Sequence, residues 1–380
     1  LTVPLGYTLY YQSEHKKEKE NKQMKNYLVT GGAGFIGSNY IHYLLAGKAE
    51  VSVINLDNLD YSGNMENLRD LDGNENYTFI KGDICDEKLI SHIFREKSID
   101  YVVHFAAMTH VDRSIHNARP FVKTNVEGTL NLLENARIAW EADGVFPNDK
   151  KFLHVSTDEV YGDLGEGEYF METTPLAPRN PYSASKAGAE MMAKAYWETH
   201  RLPVNITRCS NNYGPNQFPE KLIPLLIHNC INHKKLPIYG DGLSVRDWLY
   251  VRDHCAAVEA VLKRGVLGEV YNIGGHNEKT TLDIAAVIIN HIREKYDKTV
   301  TTDLIEHIQD RKGHDRRYAI DPAKTNKELN WAPEVTFEEG IRMTIDWYLN
   351  HQEWLNDVVS GEYQHYYKQH YHTLTSAAQE

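Results

Sequence analysis

Tyr182 and Lys186, at the two ends of Tyr182-Ser183-Ala184-Ser185-Lys186, are a phenol and an ammonium that share one face if the segment is helical. The ammonium is expected to favour the phenolate and to bring the tyrosine pKa toward neutrality. A phenolate so tuned takes a proton from an alcohol while the carbon gives up hydride. Upstream, the apolar run from Lys151 closes on Thr157-Asp158-Glu159. Oxidation alone needs no pair of carboxyl groups beside a hydroxyl. Asp158 and Glu159 therefore point to a second proton transfer, such as an elimination. A Tyr-x-x-x-Lys spacing occurs often by chance on helices, but here its setting is specific. An apolar strand pattern ends in Ser-Thr-Asp-Glu-Val-Tyr-Gly, a loop follows with Pro175, Pro178 and Pro181, and a small-residue helix opens at Ser183.

A hydride needs an acceptor. Lys25 to Thr30 is expected to be a strand that runs into Gly31-Gly32-Ala33-Gly34-Phe35-Ile36-Gly37 and a helix through Leu45. Gly32-x-Gly34-x-x-Gly37 is the dinucleotide pattern in its strand–turn–helix setting, where the glycines let pyrophosphate approach the helix N-terminus. A second expected strand, Val51 to Asp57, ends in a carboxylate about 20 residues beyond the last glycine, the distance for binding ribose hydroxyls. Asp57 would repel a 2′-phosphate, and no Lys or Arg lies between it and Arg69, so NAD is favoured over NADP.

Further strands are expected where Phe79 leads to Asp83 and Ile84, from Asp100 to Ala107, and from Val204 to Asn212, each ending in small or polar residues. Taken alone, Asp83 or Asn211 is equally a helix cap or turn residue. Strands alternating with helices from Lys25 to Asn212 predict an α/β fold, a doubly wound parallel Rossmann sheet with a smaller, discontinuous C-terminal substrate-binding lobe. The expected divisions are a disordered extension over 1–23, an NAD-binding domain over 24–210 with a segment returning at about 243–275, and a nucleotide-sugar lobe from 211–242 and 276–375. Tyr213 to Asp241 is rich in Pro and Gly and is expected to be irregular.

The 380 residues and 41% hydrophobic content allow a large core. A formal net charge of −12 argues against nucleic acid or an anionic membrane as partner. Within this acidic chain, Arg246 and the Arg311-Lys312-Gly313-His314-Asp315-Arg316-Arg317 cluster are either a seat for an anionic substrate or internally paired surface charge. Cys85, Cys209, Cys230 and Cys255 lack Cys-x-x-Cys spacing, which fits a reducing, cytoplasmic compartment. His365, His370 and His372 invite a metal reading but lack acidic companions, so packing or solvent exposure is favoured and no metal is expected. No run of 18 apolar residues is present, so no spanning helix is expected.

These motifs resemble the extended short-chain dehydrogenase/reductases and, within them, the dTDP-glucose 4,6-dehydratases of deoxysugar (rhamnose-type) biosynthesis. The likeness runs from Met24 to Tyr371 through Gly-Gly-Ala-Gly-Phe-Ile-Gly, His104-Phe-Ala-Ala, Ser-Thr-Asp-Glu-Val-Tyr-Gly, Tyr-Ser-Ala-Ser-Lys, Ser210-Asn-Asn-Tyr-Gly-Pro, Pro219-Glu-Lys-Leu-Ile-Pro, Arg246-Asp-Trp-Leu-Tyr-Val and Gly313-His-Asp-Arg-Arg-Tyr. The glycine and Tyr/Lys motifs mark the superfamily; Thr-Asp-Glu marks the dehydratases. The resemblance implies C4 oxidation by Tyr182 and Lys186 with Thr157 on the sugar O4, C5 deprotonation by Glu159, protonation of the leaving C6 hydroxyl by Asp158, and hydride return to C6. It assigns Gly31, Gly34, Phe35, Ile36, Gly37, Asp57, Asp83, Ile84, Ala106, Ala107, Thr124, Tyr182, Lys186 and Asn212 to NAD. To the nucleotide-diphosphate sugar it assigns Thr109, Thr157, Asn211, Lys221, Leu222, Pro237, Tyr239, Arg246, Asn272, Asp310, Arg311, His314 and Tyr371. Met108-Thr109 stands where Glu-Ser is frequent and Lys312 where Pro is frequent. Thr109 keeps the hydroxyl.

The nearest rival is a nucleotide-sugar 4-epimerase, which has no use for Asp158 and Glu159; a UDP-sugar 4,6-dehydratase is another. A third is an NAD-sensing scaffold, which has no reason to hold Thr157, Asp158, Glu159, Tyr182 and Lys186 together. The resemblance also implies a homodimer, matching long helical segments at Phe121 to Ala142 and Ser183 to His200 with apolar residues on more than one side.

Overall fold

The computed structural model describes residues 24–46, 50–165, 167–310 and 313–359. The extension over 1–23, Arg311, Lys312, Tyr371 and the three tail histidines lie outside the described residues.

Twelve strands occur among the described residues: β1 (Lys25–Thr30), β2 (Val51–Asp57), β3 (Tyr77–Lys81), β4 (Tyr101–His104), β5 (Lys151–Thr157), β6 (Val204–Cys209), β7 (Asn211–Tyr213), β8 (Leu236–Tyr239), β9 (Val245–Tyr250), β10 (Val270–Ile273), β11 (Glu278–Thr280) and β12 (Ile305–Ile308). Seven form one sheet in the order β10-β6-β5-β4-β1-β2-β3. Every pairing in it is parallel. A parallel sheet has both faces covered, and Tyr27, Leu28, Val29, Val102, Val103, Phe152 and Leu153 are accordingly buried on alternating faces. The chain leaves β1 toward β2 on one side and β4 on the other, so a crevice opens at the carboxyl ends of these strands.

A second core gathers Tyr213 of β7 with Ile223, Leu226, Ile284, Ile288, Phe337 and Ile345 from helices Leu222–Ile231, Thr281–Lys295 and Phe337–Asn350. It is flanked by the three-stranded β11-β9-β7 sheet and the β12-β8 pair.

Three expectations change. The run from Asp100 stops being strand at His104, because Phe105 to Ala107 turn outward into the crevice. The run from Val204 breaks at Ser210: β6 ends at Cys209, and Asn211–Tyr213 joins β9 in the other sheet. There the Asn212 side chain bonds Ser210 O at 2.9 Å, a local bond that competes with ladder pairing. The Pro- and Gly-rich stretch holds a regular helix over Leu222–Ile231. Its Pro224 falls in the first turn, where the missing N–H removes no helical bond.

Candidate active site

A cavity of about 290 Å³ follows the carboxyl ends of the main sheet. At one end lie the glycine turn, Phe35, Ile36, Asp57, Asp83 and Ile84; Ala106, Ala107 and Thr124 follow, and Asn212 and the Tyr182/Lys186 pair lie at the other. Gly31 has φ +71°, and a Cβ there would sit 2.6 Å from Ala106 N; a Cβ on Gly37 would sit 2.2 Å from Gly31 O. Side chains are thus excluded from the turn, and the N-terminus of helix Phe35–Leu45 is open to an anion. Asp57 accepts from Ala33 N at 2.9 Å and Leu59 N at 2.8 Å, so it also holds the turn in shape. Burial raises its pKa. Asp83 lines the cavity while accepting from Cys85 N at 2.8 Å, a turn role and a wall role together. The glycine cradle, the carboxylate at the end of β2 and the length of the crevice fit a dinucleotide.

The reactive end is built from two elements. β5 delivers Thr157 at its last residue, and the turn of helix over Asp158–Tyr161 follows at once. Thr157 Oγ1 accepts from Glu159 N and lies 3.3 Å from Asp158 Oδ1. Helix Pro181–His200 delivers the other pair. Asn180 caps it by accepting from Ser183 N at 2.9 Å, and Pro181 occupies its first turn. Tyr182 is fixed by its amide, which donates to Ser114 Oγ at 3.2 Å, and by Val111 and Phe121 packed on its ring.

Electrostatics here differ from the sequence expectation. Burial pushes the Tyr182 phenol well above its usual range, with Glu159 and Cys209 adding to the effect and Thr157 opposing it. Lys186 does not bring the phenol down. Its own ammonium, buried and donating to Val155 O at 2.6 Å, is pushed down to about 8. The physical reason is desolvation of both charged forms, to which the Glu159 carboxylate adds for the phenol alone. Burial, then Glu159 and Asp247, pushes Asp158 well above the carboxylate range, which favours its protonated form.

A second cavity of about 180 Å³ adjoins the first, and Thr109, Glu159, Asn211, Glu220 and Lys221 line both. Glu159 therefore stands at the neck between them. Leu222, Pro237, Tyr239, Arg246 and His314 line the second. Lys221 Nζ donates to Thr109 O at 2.9 Å. Arg246 lies over the Tyr318 ring at 4.2 Å and donates to Asp315 O at 2.9 Å, so part of its fork is engaged by backbone. With Lys221 it gives the chamber a cationic side suited to a diphosphate, and His314 lines the same chamber.

Three assignments sit elsewhere. Asp158, 2% exposed, is behind the wall rather than on it. Asn272 is fully buried, accepts from Tyr161 Oη at 2.8 Å and donates to Phe170 O, which leaves it supporting the Asp158–Tyr161 turn rather than facing either cavity. Asp310 is 2.6 Å from His314 Nδ1, which lines the chamber, and does not line it itself. Conversely, Tyr61, Phe218, Glu220 and Cys209 line the first cavity without having been singled out. Glu220 was visible beside Lys221 in Pro219-Glu-Lys, but nothing local distinguishes a buried glutamate from a surface one.

The GDP-mannose 4,6 dehydratase family matches residues 28–344. A dTDP-glucose 4,6-dehydratase of Xanthomonas campestris pv. campestris is 49% identical over 347 residues, covering 90% of this chain and 97% of the relative. A crystal structure of dTDP-glucose 4,6-dehydratase from Bacillus anthracis in complex with NAD is 48% identical, with a TM-score of 0.79, covering 88% of this chain and 99% of that one. The Streptomyces venezuelae dTDP-glucose 4,6-dehydratase, solved with NAD and TYD bound, is 43% identical with a TM-score of 0.81, over 88% of this chain and 99% of that one.

Proposed function

The chain belongs to the GDP-mannose 4,6-dehydratase family, among its dTDP-glucose 4,6-dehydratase members, and from that premise we propose how its own residues perform the reaction. It converts dTDP-glucose to dTDP-4-keto-6-deoxyglucose with NAD as cofactor. NAD, held by the glycine turn, Asp57 and Lys186, would supply the acceptor for the C4 hydride and its source for C6, and its positive ring would supply the charge favouring the Tyr182 phenolate that Lys186 alone does not. Thr157 orients the sugar O4 while Tyr182 takes the O4 proton. The ketone acidifies C5–H, and Glu159 removes that proton. Asp158, kept protonated by burial and by the carboxylates around it, supplies the proton for the departing C6 hydroxyl by way of the Thr157 hydroxyl, 3.3 Å from its Oδ1, and water leaves. The opposite tasks of adjacent carboxyls follow from one standing at the neck and the other behind the wall.

The observation that carries this reading is the meeting of Thr157, Tyr182 and Lys186 in the lining of the first chamber with Glu159, which lines both chambers. Lys221, Arg246 and His314 hold the diphosphate in the second chamber. The product enters deoxysugar synthesis of the rhamnose type, and the enzyme acts in the cytoplasm as a homodimer; among the described residues no helix is long and apolar enough to cross a membrane. Incubation with dTDP-glucose and, separately, UDP-glucose tests the assignment through the alkali-labile absorbance of a 4-keto-6-deoxy product. Formation of the C4 epimer without dehydration would transfer the chain to the epimerases.

A further inference from the structure

Residues 215–221 run from the dinucleotide helix to the wall at Thr109, and Gln217, Phe218, Glu220 and Lys221 of this segment line the cofactor cavity. One end is tied to the dinucleotide helix, where Asn39 Nδ2 donates to Pro215 O at 3.0 Å. The other end is tied to the opposite wall by the Lys221 bond to Thr109 O. Between them lies a clasp. The Arg113 guanidinium sits over the Tyr61 ring at 4.0 Å, and Arg113 Nε is 3.5 Å from Glu220 Oε2. The Phe218 ring meets the same Tyr61 edge-on at 5.8 Å. Tyr61 belongs to the 58–63 loop after β2, which itself walls the cavity. The Glu220 side chain is 1% exposed and burial raises its pKa, so its charged form depends on the neighbouring cations Lys221 and Arg113; His110 Nε2 lies 3.7 Å away.

The 58–63 loop, residues 215–221 and the helix of Arg113 thus meet at one guanidinium, with the Phe218–Tyr61 contact beside it. We propose that residues 215–221 are a strap that retains NAD through successive turnovers, and that Arg113 is the positioning residue that fastens it to the 58–63 loop. The chemistry requires such retention, because a cofactor released after taking the C4 hydride would strand the oxidised sugar without the hydride that C6 must receive. This rests on the reading of the first chamber as the NAD site.

The test measures release of radiolabelled NAD from the holoenzyme into excess unlabelled NAD, together with the unfolding temperature of the NAD-free protein. Arg113→Met keeps the stem but neither stacks a cation on Tyr61 nor pairs with Glu220, and release is expected at least tenfold faster. Arg113→Lys keeps the charge without the planar face and is expected to fall between the two; it also serves should the Met variant fail to fold. An unfolding temperature that drops with no change in release would show a purely structural residue. Release from Arg113→Met and Arg113→Lys within twofold of the parent would overturn the strap alone. A parent protein that neither carries nor takes up NAD would instead overturn the cofactor reading beneath it.

Discussion

Burial opposes the charged form of both Tyr182 and Lys186, so each residue makes a separate claim. Tyr182→Phe removes the base and keeps the ring that packs on Val111 and Phe121. Turnover is expected to fall by about 10²–10⁴-fold with NAD still bound. For Lys186, the folded pKa of about 8 lies below the ordinary 10.5, so the native state holds its proton less tightly than the unfolded chain. The resulting penalty is full below about pH 8 and is relieved as pH rises toward 10.5. Lys186→Met removes the penalty and loses the bond to Val155 O, for a net gain on the order of 2 kcal/mol at pH 7. Thermal unfolding followed from pH 7 to 10.5 is expected to show the variant more stable at the low end, with the gain fading upward, while activity collapses. Glu159→Gln should still allow C4 oxidation but not C5 deprotonation, so single-turnover absorbance should show NADH persisting and mass spectrometry a bound 4-keto-glucose nucleotide. Asp158→Asn should slow water loss while solvent deuterium still enters C5. Parent-rate turnover by Glu159→Gln would contradict the role of the Thr-Asp-Glu segment.

The elements decide how well such residues are held. Asn180 caps helix Pro181–His200 two residues before Tyr182, and Thr280 caps Thr281–Lys295 on the far side of the second core. Replacing either by Ala is expected to cost about 1 kcal/mol in denaturant unfolding. Asn180→Ala alone should also lower kcat by about tenfold, because a frayed first turn misplaces the phenol. Equal losses of kcat in the two variants would show that the cap does not position Tyr182. The sequence was a good guide wherever a strand lies inside the parallel sheet: β1, β2 and β5 span the residues their apolar runs suggested. It was a poor one where the answer depends on distant neighbours. The break at Ser210 depends on which sheet claims Asn211, the burial of Glu220 on Arg113 and His110, and the raised Tyr182 phenol on how tightly its cleft closes. Helix Leu222–Ile231 was hidden for a different reason, since proline and glycine counts do not register that Pro224 falls in a first turn.

At the scale of the molecule, the helical stretch from Arg119 to Trp140, π-helical over Val122–Gly128, and helix Pro181–His200 pack on each other and on the sheet, yet leave Val122, Ile138 and Met191 at 48%, 62% and 42% exposure. This second apolar face is the one proposed to meet a second copy. The Val122→Glu, Ile138→Glu double variant is expected to sediment as a monomer at micromolar concentration where the parent sediments as a dimer, and two species of equal size would contradict the interface. β10 lies beside β6, with Val270 opposite Ile206 and Ile273 opposite Cys209, although the chain builds β7, β8 and β9 in between. A ribosome must therefore add roughly 60 residues, several seconds of synthesis, before the outer edge of β6 finds its neighbour. During that interval the nascent chain presents an open row of amide and carbonyl groups that any passing strand could join. Chaperone capture should accordingly peak on nascent chains stalled between β6 and β10 and fall once β10 has cleared the exit tunnel.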